Sequence, residues 1–319
     1  MTTFYDVFNG DADGICALHQ LRLTDPRASV LVTGAKRDIT LLDRVEACRG
    51  DRVTVLDISL ARNAAALERL LERGASCRYF DHHFAGEIPR HPELETCIDT
   101  ASDVCTSLLV DRYLKGSRRI WAVVAAFGDN LAAPARDAAS ALNLNELQLA
   151  QLQSLGECIN YNAYGASVDD LMYHPADLYE SISHYEDPFQ FISGEPIHEV
   201  LRAARADDLY RAGEIKPTLA TDQSAIYVLP DSAWSRRVNG AFINQLATVH
   251  PQRAHAVLVA AAKGYHVSVR SPLENAQGAD ALCREFGGNG RHAAAGIDAL
   301  HADDYERFVA AFGNAFDQI

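Results

Sequence analysis

The sequence predicts an α/β protein: a parallel sheet with helices on both faces, followed by a smaller α/β domain. In the first part of the chain, short apolar runs alternate with helical patterns, and a second alternation begins near Ser224. Strands that alternate with helices are typical of parallel sheets whose two faces are covered. A stretch interrupted by prolines separates the two alternations, which indicates helices that connect two domains.

The first alternation begins almost at the N-terminus. Its strands are recognised by apolar runs such as RVTVL at 52–56, and its helices by spaced leucines, as at Leu67, Leu70 and Leu71. The predicted strands are 4–8, 30–33, 52–56 and 77–80, and the predicted helices are 15–23, 63–73, 103–114 and 121–127. We assign these elements to a first domain, residues 1–140.

The rest of the chain divides into a helical connecting region, 141–220, and a C-terminal domain, 221–319. Pro175, Pro188, Pro196 and Pro217 interrupt the connecting region, because proline cannot continue a helix. The C-terminal domain has predicted strands at 225–229, 255–261 and 265–270, and predicted helices at 238–249, 279–286 and 303–316.

Composition excludes several classes of protein. Of 319 residues, 48% are apolar and 23% charged, which is typical of a soluble globular protein, and no apolar run is long enough to span a bilayer. The net charge of -14 argues against strong binding to long nucleic acid but permits a short nucleotide in a locally basic pocket. Seven scattered cysteines without a CxxC pair argue against a disulfide framework or structural zinc, and they favour a cytoplasmic location.

Acidic or histidine-bearing turns follow predicted elements at four places. They are Asn9-Gly10-Asp11-Ala12-Asp13-Gly14 after the first strand, Asp57 after RVTVL, Asp81-His82-His83 after CRYF, and Gly128-Asp129-Asn130 after the apolar helix WAVVAAF. In open α/β sheets, ligands bind beyond the carboxyl ends of the strands. The four turns together therefore predict a site for divalent cations, which prefer clustered carboxylates.

Each turn also has a purely structural interpretation. Asp13 is about equally well explained as the cap of the next helix, and a lone Asp57 at a strand end is more often a cap than a ligand. Asp129 by itself belongs to an ordinary helix end. For the Asp-His-His triplet the functional interpretation is the better one, since adjacent histidines project in different directions and Asp81 can fix the tautomer of a ligating histidine.

The order DxDG, Asp, DHH, Asp resembles the four motifs of the DHH phosphoesterases. That family includes RecJ-type exonucleases, nanoRNases, cyclic-di-AMP phosphodiesterases and family II inorganic pyrophosphatases. In the C-terminal domain, Val269-Arg270-Ser271 and the segment FGGNGRHAAAG at 286–296 are similar to the RS and GGGH-AAG signatures of the companion domain in RecJ and nanoRNase relatives. The resemblance touches both ends of the chain and leaves about 141–220 uncovered.

The resemblance implies a centre with two metal ions, usually Mn²⁺, with Mg²⁺ as an alternative. The residues that would hold them are Asp11 and Asp57 for the first ion, and Asp13, Asp57, His82 and Asp129 for the second. His83 would lie near the phosphate, as a positive contact or as proton donor to the leaving oxygen, and Asp81 would orient the histidines. Asn9 would complete the first ion site or contact the substrate.

The companion-domain signatures imply a substrate-binding surface. Its residues would be Arg270, Ser271, Gly287, Gly288, Gly290, Arg291 and His292. The glycines would let backbone N–H groups approach an anion closely, and the Arg and His side chains would add charge-assisted hydrogen bonds. Taken alone, the Gly-rich run indicates only a simple loop between a helix and a strand.

One departure concerns the first ion. Pyrophosphatase-like and nanoRNase-like members carry a histidine where this chain has Val7, and RecJ-like members can place a carboxylate where it has Asn9. The leading hypothesis is an Mn²⁺-dependent phosphoesterase that hydrolyses a phosphodiester in a short single-stranded oligonucleotide or in a linear or cyclic dinucleotide. The alternatives are a non-catalytic nucleotide-binding relative, and a phosphomonoesterase or pyrophosphatase that acts on a small phosphorylated compound.

Overall fold

A five-stranded parallel sheet lies at the centre of the first of two units. The computed structural model describes residues 2–317; the first unit ends at Ala203 and the second begins at Ala204. The strands of the first sheet are β1 (Phe4–Phe8), β2 (Val30–Val32), β3 (Arg52–Leu56), β4 (Ser76–Asp81) and β5 (Leu94–Ile98). They lie in the order β2-β1-β3-β4-β5, and every neighbouring pair runs parallel. The predicted parallel sheet is confirmed.

Nine α-helices occur along the described part of the chain before the strands of the second sheet. They are α1 (Ala12–Thr24), α2 (Leu60–Glu72), α3 (Thr106–Tyr113), α4 (Arg119–Gly128), α5 (Ala132–Ala139), α6 (Glu146–Ala163), α7 (Pro175–Ser183), α8 (Pro188–Gly194) and α9 (Ile197–Gly213). Pro175 and Pro188 each occupy the first turn of a helix, where the missing N–H of proline costs nothing.

The two faces of the first sheet are both covered, because side chains of a strand alternate between the faces. Val55 of β3 belongs to a buried cluster with Leu67 of α2. Phe8 of β1 pairs with the next residue of β3, Leu56, and faces the other way: its ring lies 5.6 Å from that of Tyr179 in α7. The predicted arrangement of helices on both faces is confirmed.

The second unit is built on a mixed, six-stranded sheet. Its strands are β6 (Leu219–Ala220), β7 (Ser224–Leu229), β8 (Ala254–Ala261), β9 (Gly264–Arg270), β10 (Asn289–Arg291) and β11 (Ala294–His301), in the order β10-β11-β9-β8-β7-β6. Its helices are α10 (Ala233–Val249), α11 (Ala279–Arg284) and α12 (Tyr305–Phe316). Only β7 and β8 pair parallel, and the other pairs are antiparallel.

Several strands of the structure have no counterpart in the prediction. β5 is a half-exposed edge strand with the sequence LETCI, and β11 reads AAGIDALH, which is poor in β-branched residues. β11 is a strand because it pairs with β9 on one side and β10 on the other. The Gly-rich run is therefore not the simple loop of the structural alternative: Asn289–Arg291 forms the edge strand β10.

Within residues 2–317, no helix combines the length and the apolar character needed to cross a membrane. The seven cysteines are free thiols, five of them buried or partly buried within unit 1 and one buried in α11.

Candidate metal centre

Acidic side chains stand at the carboxyl ends of three neighbouring strands. Asp57 directly follows β3, Asp81 ends β4, and Asp11 lies in the turn between β1 and α1. Because β1, β3 and β4 are adjacent and parallel, their carboxyl ends meet at the same end of the sheet. The structure thus brings together the turns that the sequence singled out.

Asp11 is the N-cap of α1. Its Oδ1 accepts hydrogen bonds from the backbone N–H groups of Asp13 and Gly14, both at 3.0 Å, and its Oδ2 accepts one from Lys36 Nζ at 2.6 Å. Burial alone would raise the pKa of Asp11, but the charge of Lys36 and these hydrogen bonds lower it. Asp11 is therefore an ionised carboxylate whose charge is already paired.

Two glycines allow this turn to be so tight. A Cβ at position 10 would lie 2.1 Å from the carbonyl oxygen of Gly34, and one at position 14 would lie 2.2 Å from the carbonyl oxygen of Asn9. No larger residue fits at either position without moving the backbone.

Asp13 is not the cap of α1, which was its structural alternative. Its carboxylate instead meets the N-terminus of α3, where Oδ2 accepts a hydrogen bond from Thr106 N and Oδ1 one from Ser107 N, both at 2.7 Å. The first amides of a helix favour a negatively charged partner. These two bonds fix the orientation of Asp13 within the site.

Asp57 occupies a left-handed backbone conformation, with φ of 60°. Such a conformation is uncommon for a residue other than glycine, and it recurs at functional sites. Thr106 Oγ1 donates a hydrogen bond to Asp57 Oδ1 at 3.1 Å, and His82 Nε2 lies 3.4 Å from the same oxygen. Asp57 is therefore a buried carboxylate aimed at His82, and not a helix cap.

His82 is held in the tautomer that a metal ligand needs. Its Nδ1 donates a hydrogen bond to the carbonyl oxygen of Val104 at 2.9 Å, since a carbonyl can only accept. In the neutral imidazole, Nε2 is then the nitrogen without a proton, which can bind a cation.

His83 is more exposed than His82, with 46% of its side chain accessible. Its Nδ1 donates to Asp81 Oδ1 at 2.8 Å, and the same oxygen accepts from the backbone N–H of His82 at 2.9 Å. Burial opposes protonation of His83, but the bond to Asp81 prevails and raises the pKa of the imidazole. A raised pKa favours the protonated ring, which can donate to an anion.

The ligand atoms converge in two overlapping groups. Atoms of Asp13, His82 and Asp129 lie within 4.8 Å of one another, and so do atoms of Asp57, His82 and His83. Burial, together with the charges of neighbouring carboxylates, raises the pKa of Asp57 and of Asp129. Mn²⁺ and Mg²⁺ are hard cations that prefer carboxylate oxygens. A divalent cation therefore fits the set Asp13, Asp57, His82 and Asp129, and it would relieve the repulsion among these carboxylates.

Lys36, in the loop after β2, is a site residue that the sequence analysis missed. Its Nζ lies 2.6 Å from Asp11 Oδ2, 3.6 Å from Asp129 Oδ1 and 3.4 Å from Asn160 Oδ1. A single lysine after a strand belongs to no recognisable pattern, so nothing in the sequence distinguishes it from a surface lysine. Thr106 was missed for a similar reason, because its contacts depend on where α3 begins.

Val7 and Asn9 bring no ionised ligand to this end of β1. Val7 is fully buried and belongs to the apolar cluster beside α2. Asn9 is also buried; its Nδ2 donates to the carbonyl oxygen of Lys36 at 3.3 Å, and its Oδ1 has no hydrogen-bond partner.

The companion-domain residues lie in the second unit. Arg270 ends β9 and donates to Asn244 Oδ1 at 2.9 Å, while Ser271 Oγ donates to the carbonyl oxygen of His292 at 3.0 Å. His292 is exposed, and its Nδ1 lies 3.1 Å from Asp280 Oδ1. Arg291 is exposed in the edge strand β10.

The glycines of this segment have different surroundings. A Cβ at Gly288 would lie 2.2 Å from the carbonyl oxygen of Gly296, and one at Gly290 would lie 2.4 Å from Cα of Ala295. These two glycines therefore permit close packing against β11. Gly287, with φ of 77°, has open space around it.

Comparison with known proteins gives a consistent picture of the fold. No protein-family model matches the chain, and no curated protein matches it. Among solved structures, a DHH domain described as a member of a family of ribosomal proteins has a TM-score of 0.64 at 12% identity, over 98% of this chain and 86% of the other. Exonuclease RecJ bound to manganese has a TM-score of 0.63 at 16% identity, over 99% and 90%.

A third similar structure is the pGpG-specific phosphodiesterase PggH of Vibrio cholerae, with a TM-score of 0.57 at 12% identity over 97% of both chains. The near-complete coverage extends the likeness over both units, including the region without a sequence motif. At these identities the likeness establishes the fold, which is that of DHH-domain proteins, as the motifs predicted.

Proposed function

We propose that this chain is a metal-dependent phosphoesterase that hydrolyses a phosphodiester in short single-stranded oligonucleotides or in linear or cyclic dinucleotides. The observation that carries the proposal is the convergence of two groups that share His82: Asp13, His82 and Asp129 form one, and Asp57, His82 and His83 the other. Burial and neighbouring carboxylates raise the pKa of Asp57 and of Asp129. Such a set is unfavourable without a cation and suited to one.

The groups around this set suit phosphate-ester chemistry. A divalent ion held there would lower the pKa of a water molecule and stabilise charge on the phosphate oxygens. His83 is exposed enough to meet a substrate, and Asp81 favours its protonated form, so that it can donate a proton to the leaving oxygen. In the second unit, Arg270, Arg291 and His292 supply hydrogen-bond donors that suit an anionic group.

The choice of ion and substrate draws on similar proteins. RecJ structures have been solved with Mn²⁺ and with Mg²⁺, and PggH is described as specific for pGpG. The net charge of -14 favours a short nucleotide over a long nucleic acid. We therefore expect Mn²⁺ or Mg²⁺ as cofactor and a small nucleotide as substrate.

A second candidate function is binding of a nucleotide without hydrolysis. Val7 and Lys36 favour it, since the first supplies no ligand and the second places a positive charge beside Asp11. A third candidate, hydrolysis of a phosphomonoester or pyrophosphate, draws on the likeness to an exopolyphosphatase-related protein of Bacteroides fragilis, with a TM-score of 0.52 at 15% identity.

A substrate panel with Mn²⁺ tests the proposal. We expect the purified protein to release mononucleotides from a linear dinucleotide or a short oligonucleotide, and we expect Asp57→Asn to lose at least about 100-fold in kcat/KM, because it removes a charged ligand. Asparagine tolerates the left-handed conformation of this position, so the loss reports on charge and not on backbone strain.

The matched control is Asp137→Asn, which neutralises an exposed carboxylate on α5 and should leave kcat/KM unchanged. The panel also contains pyrophosphate and a 3′,5′-bisphosphate nucleotide. Faster hydrolysis of either of these would favour the third candidate. Nucleotide binding without cleavage of any substrate would contradict the proposal and favour the second.

A further inference from the structure

The ammonium group of Lys36 lies among the carboxylates of the metal centre. Its nearest oxygens are Asp11 Oδ2 at 2.6 Å, Asn160 Oδ1 at 3.4 Å and Asp129 Oδ1 at 3.6 Å. Three oxygen atoms from different parts of the chain thus surround one positive charge. This is an arrangement that hard cations also favour.

The side chain of Lys36 is held at this place. Its backbone N–H donates to the carbonyl oxygen of Ala163 at 2.9 Å, and its own carbonyl accepts from Asn9 Nδ2. The Nζ atom also lies 5.5 Å from the centre of the Tyr164 ring, within range of a cation–π interaction. Only 29% of the side chain is exposed, so the lysine belongs to the site and not to the surface.

The residues around Asp11 fit an ammonium better than a divalent ion. Oδ1 of Asp11 is bound by two backbone amides, and Oδ2 by Lys36. Val7 contributes only an apolar side chain, and Asn9 carries no charge. A second divalent ion on Asp11 would lie close to the Lys36 ammonium, and the repulsion between them would be strong in this buried place.

We propose that Lys36 takes the place of one of the two cations implied by the motif resemblance, so that this chain binds a single divalent ion through Asp13, Asp57, His82 and Asp129. The inference rests on the proposed function in one respect: both require that this one divalent ion binds. Of the two cations at the centre, one is then the Lys36 ammonium, which is a permanent part of the polypeptide.

The experiment counts ions in the folded protein. The full chain is equilibrated with saturating Mn²⁺, and bound manganese is measured by equilibrium dialysis and mass spectrometry. We expect one ion per chain in the wild type. Lys36→Met keeps the volume of the stem and removes the charge, which leaves the oxygens of Asp11, Asp129 and Asn160 free for a second ion, so we expect two.

Two further variants serve as controls. One keeps a positive charge at position 36, and the other removes a lysine far from the site in sequence. Lys36→Arg keeps a cation in place and should bind one ion, and Lys263→Met removes a surface lysine in the second unit and should also bind one. Thermal unfolding verifies that each variant is folded. Electron paramagnetic resonance gives an independent reading, since isolated Mn²⁺ is expected in the wild type and a spin-coupled pair in Lys36→Met.

The outcomes separate this inference from the proposed function. Two ions in the wild type would overturn the inference and leave the proposed function standing. One ion in both the wild type and Lys36→Met would overturn the claim that the ammonium excludes a second ion. No bound manganese in the wild type would overturn both the inference and the proposed metal-dependent activity.

Discussion

At the candidate metal centre, single residues orient their neighbours through hydrogen bonds. Asp81 illustrates this: one of its oxygens accepts hydrogen bonds from His82 N and His83 Nδ1, and the other is buried without a partner. The aspartate therefore holds both histidines and supplies the charge that favours protonated His83.

We expect Asp81→Asn to lower kcat/KM about 10- to 100-fold, the usual effect of losing such a supporting carboxylate. The amide oxygen can still accept the two hydrogen bonds, so the ion count and the thermal unfolding temperature should change little. Steady-state kinetics together with a manganese count provides the measurement. An unchanged kcat/KM would mean that the charge of Asp81 does not act through His83.

The acidic and histidine residues proposed as ligands could be singled out in the sequence because each follows an apolar strand or helix within a short motif. Lys36, Thr106 and Asn160 could not, since their roles arise from chain segments that meet only in the folded molecule. For the same reason the sequence could not reveal that Asp13 binds the first amides of α3.

At the scale of elements, glycines decide how closely helices approach one another. In α6, a Cβ at Gly156 would lie 2.1 Å from the carbonyl oxygen of Val124 in α4. A Cβ at Gly128, the last residue of α4, would lie 2.4 Å from the Cβ of Ala12 in α1. The contacts among α1, α4 and α6 therefore depend on these small residues.

We expect Gly156→Ala to lower the free energy of unfolding by about 1–3 kcal/mol, since the added methyl group must push two helix backbones apart. The matched control is Gly240→Ala in α10, where no atom lies within 4 Å of the new Cβ. There alanine should raise stability by about 0.5–1 kcal/mol. Denaturant unfolding measures both values, and equal effects of the two substitutions would contradict the packing argument.

Most central strands were predictable because they are continuous apolar runs, as expected for buried parallel strands. β5, β10 and β11 were not, because edge position and pairing, rather than local composition, make them strands. Sequence periodicity does not contain that information.

At the scale of the whole molecule, each of the two units contains a buried histidine that must stay neutral. His19 of the first unit donates from Nε2 to the carbonyl oxygen of Tyr185 at 2.8 Å, and burial lowers its pKa to about 4. In the second unit, burial likewise lowers the pKa of His255 to about 4.

Acid should therefore destabilise the molecule. A histidine with an unfolded pKa of 6.5 and a folded pKa of about 4 binds more protons when unfolded, so stability is lost as pH falls from 6.5 towards 4, by about 3 kcal/mol per group. His255→Leu should flatten this dependence in the second unit and leave that of the first. Unfolding curves of the wild type and of His255→Leu at several pH values provide the measurement. The same pH dependence of stability in both proteins would contradict the assignment of this effect to His255.

The attachment of Asp13 to α3 has a consequence for folding. The same carboxylate that would bind the cation also receives the first two N–H groups of the helix, and Thr106 in that first turn reaches Asp57 as well. Ion binding and formation of the first turn of α3 are therefore thermodynamically linked, so each stabilises the other. Removal of the cation would increase fraying of that helical turn.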